Sequence, residues 1–467
     1  MPLSQKLKWE GLKKTMGEIT ENTQKPEKSL KRNLTMFDGI IYVVGFVIGT
    51  GIFLKPSIIL KSMGSSGAAL LIWILAGLIS MCSALTISEL AAYIPKVGGL
   101  FDYLTELYGK VVGYLYGWVE TIISSPAGTA ALAIATGSFL THFLDFGKNS
   151  SKIYAVIVIL WCLIIQIIST KLTMRIQGVV TVAKLVPIFG VILFGLIKGT
   201  AHDISFAQNT GVPIAGGIGV AMLGALWAYD GWLNTCTLGE ELIKPEKNLP
   251  KAIITGLSIC MLVFVVFNIA IFNTTPMAQV VVSSNIGRDV SIKLFGNIGG
   301  DIIIAGMAIA CFGSTNSQLL SGARLTYAMG RRKELPFAEK WTSINAKRQT
   351  PVHAIILQTV LTLIYLALGT FDTLSDMCIF VIWIFFTLGV FGVFILRKKY
   401  PRKKELYHVP LYPVIPLIGI AGGVFLTFIS LRDALVTSLW GIALALVGLL
   451  VYYYCKRKYG EDKTAVK

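Results

Sequence analysis

Apolar stretches of about 20 residues recur along the whole chain, and each is long enough to cross the roughly 30 Å hydrocarbon layer of a lipid bilayer. Hydrophobic residues make up 54% of the sequence and charged residues only 14%. We predict twelve spans, at about 37–60, 68–94, 112–143 (long or bent), 153–170, 177–198, 217–238, 253–273, 299–323, 352–369, 373–396, 413–431 and 435–454. The sequence therefore predicts an all-α membrane protein that is surrounded by the lipid bilayer.

The basic residues are distributed unevenly between the two sides of the predicted membrane. With a cytoplasmic N-terminus, 33 of the 42 Lys and Arg residues fall in the two tails and in alternate loops on the cytoplasmic side. This bias predicts a protein of the cell membrane with both termini in the cytoplasm. The net charge of +17 does not indicate nucleic-acid binding, because the basic residues of a nucleic-acid-binding surface have no need to occur in alternate loops. The basic, polar N-terminus also lacks the apolar core of a cleaved signal peptide.

The first span carries an unusual concentration of glycine, at Gly45, Gly49 and Gly51 around Thr50. Each glycine weakens a helix by about 1 kcal/mol relative to alanine. Broken backbone at membrane depth is tolerated only where it lines a cavity or is buried in protein. From these residues alone, a ligand site and a small-residue packing face of the GxxxG kind are equally good interpretations.

The sixth span repeats this pattern with Trp227, Asp230 and Gly231 at mid-membrane. Two interrupted segments, one opening each half of the first ten spans, are typical of inverted-repeat transporters that bind ligand between the halves. The fifth span contains Lys184, and a lone lysine in lipid costs about 2.5–3.5 kcal/mol, so it should face the protein interior. Lys184 could have either a mechanistic role or a purely structural one.

A broken helix exposes N–H groups that suit a carboxylate and carbonyls that suit an ammonium group. Two breaks at one depth could therefore hold a zwitterion without a charged side chain, which predicts an amino-acid site. In this arrangement the amides of Thr50 and Gly51 bind the carboxylate, and carbonyls on both broken segments bind the amine. The predicted substrate-binding residues are Val47, Ile48, Gly49, Thr50, Gly51, Trp227, Ala228 and Asp230.

Two of these side chains have alternative roles. Trp227 is either a gate that closes over a small ligand or an ordinary packing aromatic. Asp230 either recognises a cationic side chain or bonds backbone N–H groups at the start of the second half-helix, and we favour the second role. A pH-coupled mechanism would instead need a titrating carboxyl, for which Asp230 and Glu120 are the candidates.

Enzymatic chemistry is not indicated, and we expect no metal or other cofactor. The four histidines (His142, His202, His353 and His408) lie at span ends or in loops, so they cannot form a buried triad. No phosphate loop of the GxxxxGK[ST] kind occurs. The seven cysteines lie in or beside apolar spans and have neither metal-site nor disulfide spacing.

Five motifs occur in a fixed order: Gly-Thr-Gly-Ile-Phe at 49–53, Pro-Lys-Val-Gly-Gly at 95–99, Ala-Lys-Leu-Val-Pro at 183–187, Trp-Ala-Tyr-Asp-Gly-Trp at 227–232 and Pro-Glu-Lys-Asn-Leu-Pro at 245–250. Together they resemble the L-type amino acid transporter family of the amino acid–polyamine–organocation superfamily, and within it the bacterial serine/threonine and alanine–serine–cysteine exchangers. The resemblance covers about residues 34–458.

The resemblance implies a five-plus-five inverted repeat, the fold of a sodium-coupled leucine transporter, followed by two further helices. Residues 34–198 would form the first repeat, 199–400 the second and 401–455 the last two helices. Residues 1–33 would be a cytoplasmic tail, either amphipathic or disordered, and 456–467 a second tail. It also implies that Lys184 replaces a sodium ion and bridges the Gly45 carbonyl to Ser314. A candidate side-chain pocket comprises Ser124, Ser125 and Trp383.

We therefore predict a sodium-independent exchanger of small neutral L-amino acids such as serine, threonine, alanine and cysteine. A proton-coupled symporter of amino acids or polyamines is the alternative, and an amino-acid sensor or channel is a remote one. Animal members of the family pair with a glycoprotein through an outer-loop cysteine. Residues 145–152 contain no cysteine, so no such partner is expected. Trp227 replaces the phenylalanine of many relatives, which leaves substrate size open.

Overall fold

The described part of the chain is built from helices, joined by turns and short irregular segments. The computed structural model describes residues 34–96, 98–168, 170–207, 214–239, 242–283, 285–343, 350–433 and 435–460. Within these ranges no strand occurs, and the only extended pairing is an isolated bridge between Leu34 and Leu242. The predicted N-terminal tail, 1–33, lies outside the described residues, as does most of the C-terminal tail.

The helices have the following bounds: α1 (Met36–Val47), α2 (Gly51–Met63), α3 (Ser66–Tyr93), α4 (Leu100–Tyr108), α5 (Lys110–Val119), α6 (Ser125–Leu140), α7 (Ser150–Ile168), α8 (Thr170–Lys198), α9 (Ile214–Tyr229), α10 (Pro245–Thr274), α11 (Met277–Val282), α12 (Ile286–Arg331), α13 (Ala338–Trp341), α14 (Val352–Leu368), α15 (Phe371–Lys399), α16 (Val414–Asp433) and α17 (Leu435–Tyr459). A π-helical turn (Glu120–Ser124) joins α5 to α6, and a 3₁₀ segment (Trp232–Leu238) follows α9.

Among the described residues, seven helices are long and apolar enough to cross a membrane, and the bent pair α1–α2 makes an eighth span if it is counted as one. The remaining helices include shorter apolar ones, among them α14. These helices confirm the prediction of an all-α membrane protein. The total of twelve spans and the inverted repeat stay predictions.

The first predicted span is broken between α1 and α2, whose axes differ in direction by 47°. A capping box starts α1: Asp38 N–H donates to the Thr35 hydroxyl, and the Asp38 carboxylate accepts from the Thr35 N–H. The helix ends at Ile48, whose ψ of 94° is extended. α2 begins three residues later, at Gly51.

The sixth predicted span is interrupted too, but its second part is not an α-helix. α9 ends at Tyr229, and Gly231 has φ +105°, a left-handed conformation that glycine adopts without a steric penalty. The chain continues as the 3₁₀ segment. A Cβ at Gly231 would lie 2.3 Å from the Phe46 ring, so glycine also allows this turn to approach α1.

Helix packing brings the two breaks together inside the bundle. α9 packs against α2, and α10 packs along α1 and α3. α12 lies between α6 and α8, and Gly296 (φ +68°) divides it into two helical stretches. Apolar residues of α7, α8 and α17 point outward, as expected for helices that face lipid.

Candidate functional site

The two breaks touch through small residues. A Cβ on Gly51 would lie 2.5 Å from both Cα and Cβ of Ala228, so α2 and α9 approach this closely only because residue 51 is glycine. On the other side of the break, a Cβ on Gly49 would lie 2.8 Å from the Ser314 hydroxyl. Trp227 Nε1 donates to the Thr50 hydroxyl at 3.3 Å and links the two broken segments directly.

A cavity opens where these segments meet α6, α12 and α15. Its lining residues are Phe46, Val47, Gly49, Thr50, Gly51, Ser124, Gly128, Leu132, Trp227, Asp230, Ser314, Gln318 and Cys378. Six of the eight predicted substrate-binding residues from the two breaks line it directly. Ala228 packs behind Gly51, and the Ile48 carbonyl accepts from Lys184. The structure thus brings together residues that are about 180 positions apart in the chain.

The backbone at the first break is left open toward this cavity. Thr50 occupies the N-cap position of α2, and among the described residues no side chain caps that helix end. The first amides of a helix have no intrahelical acceptor and carry a partial positive charge. Val47, at the end of α1, lines the same cavity with the opposite, partially negative, helix end.

Lys184 holds the end of α1 from behind. Its side chain is fully buried, and Nζ donates to the Gly45 carbonyl and, at 2.5 Å, to the Ile48 carbonyl. The contact with Ser314 that the resemblance implied is not among the hydrogen bonds of the described residues, and the Ser314 hydroxyl donates instead to the Ala310 carbonyl at 3.4 Å. Lys184 therefore contacts the Gly45 and Ile48 carbonyls, whereas Ser314 lies beside Gly49.

Two carboxyl groups near the second break interact electrostatically, Asp230 and the buried Glu120. Asp230 lines the cavity, and its carboxyl group forms a hydrogen bond with the backbone of Gly231. Glu120, in the π-helical turn, is hydrogen-bonded to Ser124 and lines a second, smaller cavity. A Ser321–Asn234 hydrogen bond of 2.8 Å lies in the wall of that second cavity.

The candidate side-chain pocket is only partly assembled. Ser124 lines the main cavity. Ser125 turns away, and its hydroxyl donates to the Gln318 backbone carbonyl at 3.3 Å. Trp383 is buried against Phe386, with ring centroids 5.6 Å apart, and is not a lining residue.

Five lining residues were missed by the sequence reasoning: Phe46, Gly128, Leu132, Gln318 and Cys378. Helical spacing could have found three of them, since residues four apart share a helix face. Gly128 follows Ser124 by four residues, Leu132 follows Gly128 by four, and Gln318 follows Ser314 by four. No comparable signal pointed to Phe46 or Cys378.

A stack of side chains adjoins the cavity at Trp227. The Trp227 ring meets Phe371 edge to face, with centroids 6.0 Å apart. Lys55 Nζ lies 4.8 Å from the centre of the same Phe371 ring and 3.4 Å from the Asp372 carboxylate. Lys55 is a charged residue in an apolar span, and its side chain is buried. The stack therefore ties α2, α9 and α15 together.

Metal chemistry has no visible site in the described ranges, where no group of His, Cys, Asp or Glu could hold a metal ion. No cysteine of this part of the chain forms a disulfide bond. The arrangement is instead suited to reversible binding of a small dipolar molecule, because it offers helix ends of both signs around one cavity.

Comparisons with known proteins identify the family of the chain. A family model described as amino acid permease matches residues 34–452. The chain is 38% identical to the serine/threonine exchanger of Bacillus subtilis, over 92% of this chain and 98% of that protein. It is 31% identical to the human cystine/glutamate transporter, over 91% and 85%, and 27% identical to the b(0,+)-type amino acid transporter 1 of Mus musculus, over 93% and 90%.

Proposed function

The chain belongs to the amino acid permease family, whose members are transporters rather than enzymes, and from this premise we propose that it exchanges small neutral L-amino acids across the cell membrane without sodium. Serine, threonine, alanine and cysteine are the proposed substrates. The observation that carries the proposal is the meeting of two helix breaks at one cavity. The likeness to a protein named as a serine/threonine exchanger supports both the substrate class and the mode of transport.

The proposed binding mode follows from the helix ends. The substrate carboxylate accepts from the amides at Thr50 and Gly51, where α2 begins without a side-chain cap in the described structure. The substrate ammonium group donates to carbonyls at the end of α1 and near Trp227. A zwitterion then satisfies both helix ends at once. The protein can therefore select amino acids without using a charged side chain of its own.

Sodium independence is supported by Lys184. Its ammonium group lies between the Gly45 and Ile48 carbonyls, which is where a bound cation would otherwise be needed. Burying a lysine in a membrane span costs free energy, so such residues usually have a partner or a function. The transport cycle then needs no sodium ion to stabilise the first break.

The proposed architecture has twelve spans, with residues 34–198 and 199–400 as inverted repeats and both termini in the cytoplasm. Alternating access then moves one repeat against the other around the cavity, with Trp227 as the gate. The proposed partners are the amino acid substrates and the lipid bilayer. No disulfide-linked glycoprotein subunit is proposed, because residues 145–152 contain no cysteine.

Proteoliposomes test the proposal. Vesicles loaded with serine should take up labelled serine in sodium-free choline buffer, and empty vesicles should not. Lys184→Ala should lower this exchange at least tenfold, whereas Lys198→Ala, an exposed lysine of the same helix, should leave it unchanged. Equal uptake into loaded and empty vesicles would contradict exchange, and a requirement for sodium or full activity of Lys184→Ala would contradict the role of the lysine.

A proton-coupled symporter is the second candidate, favoured by one observation. Glu120 and Asp230 are two acidic residues close together in the membrane interior, and Glu120 is buried. Protonation of such a carboxyl could accompany substrate movement. Net accumulation of serine in empty vesicles, driven by a pH gradient alone, would decide for this mechanism.

A further inference from the structure

The Gln318 side chain is an amide that points into the main cavity without a partner. Gln318 is only 8% exposed and lies one helical turn beyond Ser314 on α12. Within the part of the chain that the structure describes, no group hydrogen-bonds to its side-chain amide, although its backbone carbonyl accepts from Ser125. Buried polar groups in proteins are almost always hydrogen-bonded, so an unpartnered amide that faces a cavity indicates a ligand group.

The surroundings of this amide define a small space. A Cβ added to Gly128 would lie 3.5 Å from Gln318 Nε2 and 3.7 Å from Cys378 Sγ, which is ordinary van der Waals contact. The missing side chain of Gly128 therefore leaves room for about one small group between the amide and the thiol. Leu132, one turn further along α6, is an apolar part of the same cavity wall.

This space lies on a different wall from the backbone groups. The proposed sites for the substrate carboxylate and ammonium group are on α1, α2 and α9, whereas Gly128, Gln318 and Cys378 belong to α6, α12 and α15. A substrate held at both helix ends has one remaining substituent, its side chain. That side chain must face the wall formed by α6, α12 and α15.

We propose that Gln318 hydrogen-bonds a polar group on the substrate side chain, so that the site selects hydroxyl-bearing amino acids over alkyl ones of the same size. This inference rests on the proposed exchange of amino acids and specifies its substrate. An amide offers a donor and an acceptor, and a hydroxyl group can use either. An alkyl group leaves the buried amide unpartnered, and sites built to bond a hydroxyl reject analogues that lack it.

The first test uses the protein without substitution. L-2-Aminobutyrate has the shape of serine with a methyl group in place of the hydroxyl. In serine-loaded proteoliposomes, unlabelled serine should inhibit uptake of labelled serine at roughly tenfold lower concentration than L-2-aminobutyrate does, as one hydrogen bond of ordinary strength predicts. Equal inhibition by the two compounds would overturn the inference.

The second test removes the amide. Gln318→Met keeps a side chain of similar length without hydrogen-bonding groups, and it should bring the inhibition by serine and by L-2-aminobutyrate to within about twofold. Gln166→Met is the matched control, because Gln166 is also buried but lies outside the cavity, and its amide donates to Asn316. This control should keep the wild-type ratio whatever its effect on yield. A wild-type ratio in Gln318→Met would overturn the inference.

The third variant probes the space itself. Gly128→Ala fits without displacing its neighbours, so it should fold, and its methyl group should weaken inhibition by threonine more than inhibition by serine. Equal weakening would place the substrate side chain elsewhere. If the unsubstituted protein exchanges no amino acid at all, the proposed function fails. Exchange without the selectivities above leaves the function standing and removes Gln318 from recognition.

Discussion

Single buried side chains carry most of the chemical information in this molecule. Lys184 was recognisable from the sequence because a lysine in an apolar span has few explanations. Gln318 was not, since a glutamine beside a run of Ser, Thr and Asn can bond to helix carbonyls locally. Only the three-dimensional arrangement shows that the Gln318 amide faces a cavity. The neighbouring Thr315 hydroxyl, in contrast, donates to the Cys311 carbonyl of the same helix.

Glu334 is a residue-scale feature outside the spans, in the turn after α12. Its Oε2 is buried and has no hydrogen-bond partner among the described residues. Burial raises the pKa of Glu334 to about 7 from 4.5; Arg332 opposes this rise and Asp102 adds to it. Since the folded protein holds the proton more tightly than the unfolded chain, the free energy of unfolding should fall as pH rises from about 4.5 to about 7, and the loss is complete above that range.

We expect Glu334→Gln to remove this pH dependence. The variant should be more stable than the wild type at pH 8, by at most about 3 kcal/mol, and no more stable at pH 4.5. Thermal unfolding in detergent at several pH values measures the difference. Glu339→Gln, an exposed acid of the same region, is the control and should follow the wild type. A difference between Glu334→Gln and wild type that is independent of pH would contradict this account.

At the scale of elements, hydropathy located the long spans and glycine located the two breaks. Neither signal could predict the backbone geometry inside the spans. The 3₁₀ segment Trp232–Leu238 and the π-helical turn Glu120–Ser124 are mostly buried, like the α-helices beside them. Hydropathy indicates whether a segment lies in lipid or in water. The type of helical turn depends instead on which backbone carbonyl each amide bonds to.

Gly51 tests the contact between the two broken elements. Alanine is intrinsically better than glycine in a helix by about 1 kcal/mol, which alone would favour Gly51→Ala. The added Cβ would lie 2.5 Å from backbone and side chain of Ala228, however, so α2 and α9 must separate. Overpacking of this kind costs about 1–3 kcal/mol and should outweigh the gain. We expect exchange to fall at least tenfold in proteoliposomes.

Gly224→Ala is the matched control for this prediction. Gly224 lies on α9 and faces α2, and a Cβ there would lie 3.5 Å or more from its nearest neighbours, Ile59 and Lys55. The substitution should therefore leave exchange near the wild-type level and raise thermal stability slightly. Similar losses in both variants would show that the α2–α9 interface tolerates no added side chain anywhere, and that the Gly51–Ala228 contact has no special importance.

At the scale of the whole molecule, exchange requires that the two ends of the cavity open in turn. We expect the stack of Trp227, Phe371 and Lys55 to close the cavity at the end that the proposed topology places outside. Weakening this closure should shift the protein toward its outward-open form. The Lys55–Asp372 pair is the most accessible part of the closure, because the Asp372 carboxylate is 63% exposed.

We expect Asp372→Asn to lower the apparent Km for serine on the outer side and to raise it on the inner side, each by roughly two- to fivefold. The effect is modest because a partly exposed ion pair contributes about 1 kcal/mol or less. A population shift changes the two sides in opposite directions, since what favours one form disfavours the other. Exchange measured from each side of oriented proteoliposomes gives both values.

Asp289→Asn separates this effect from a general change of surface charge. Asp289 is an exposed acid that the proposed topology places on the same side, and its carboxylate accepts from Ser283, away from the cavity. Its removal should change neither Km. If Asp372→Asn moved both Km values in the same direction, the carboxylate would act on substrate binding itself. The closure of the outer end would then depend on Trp227 and Phe371 alone.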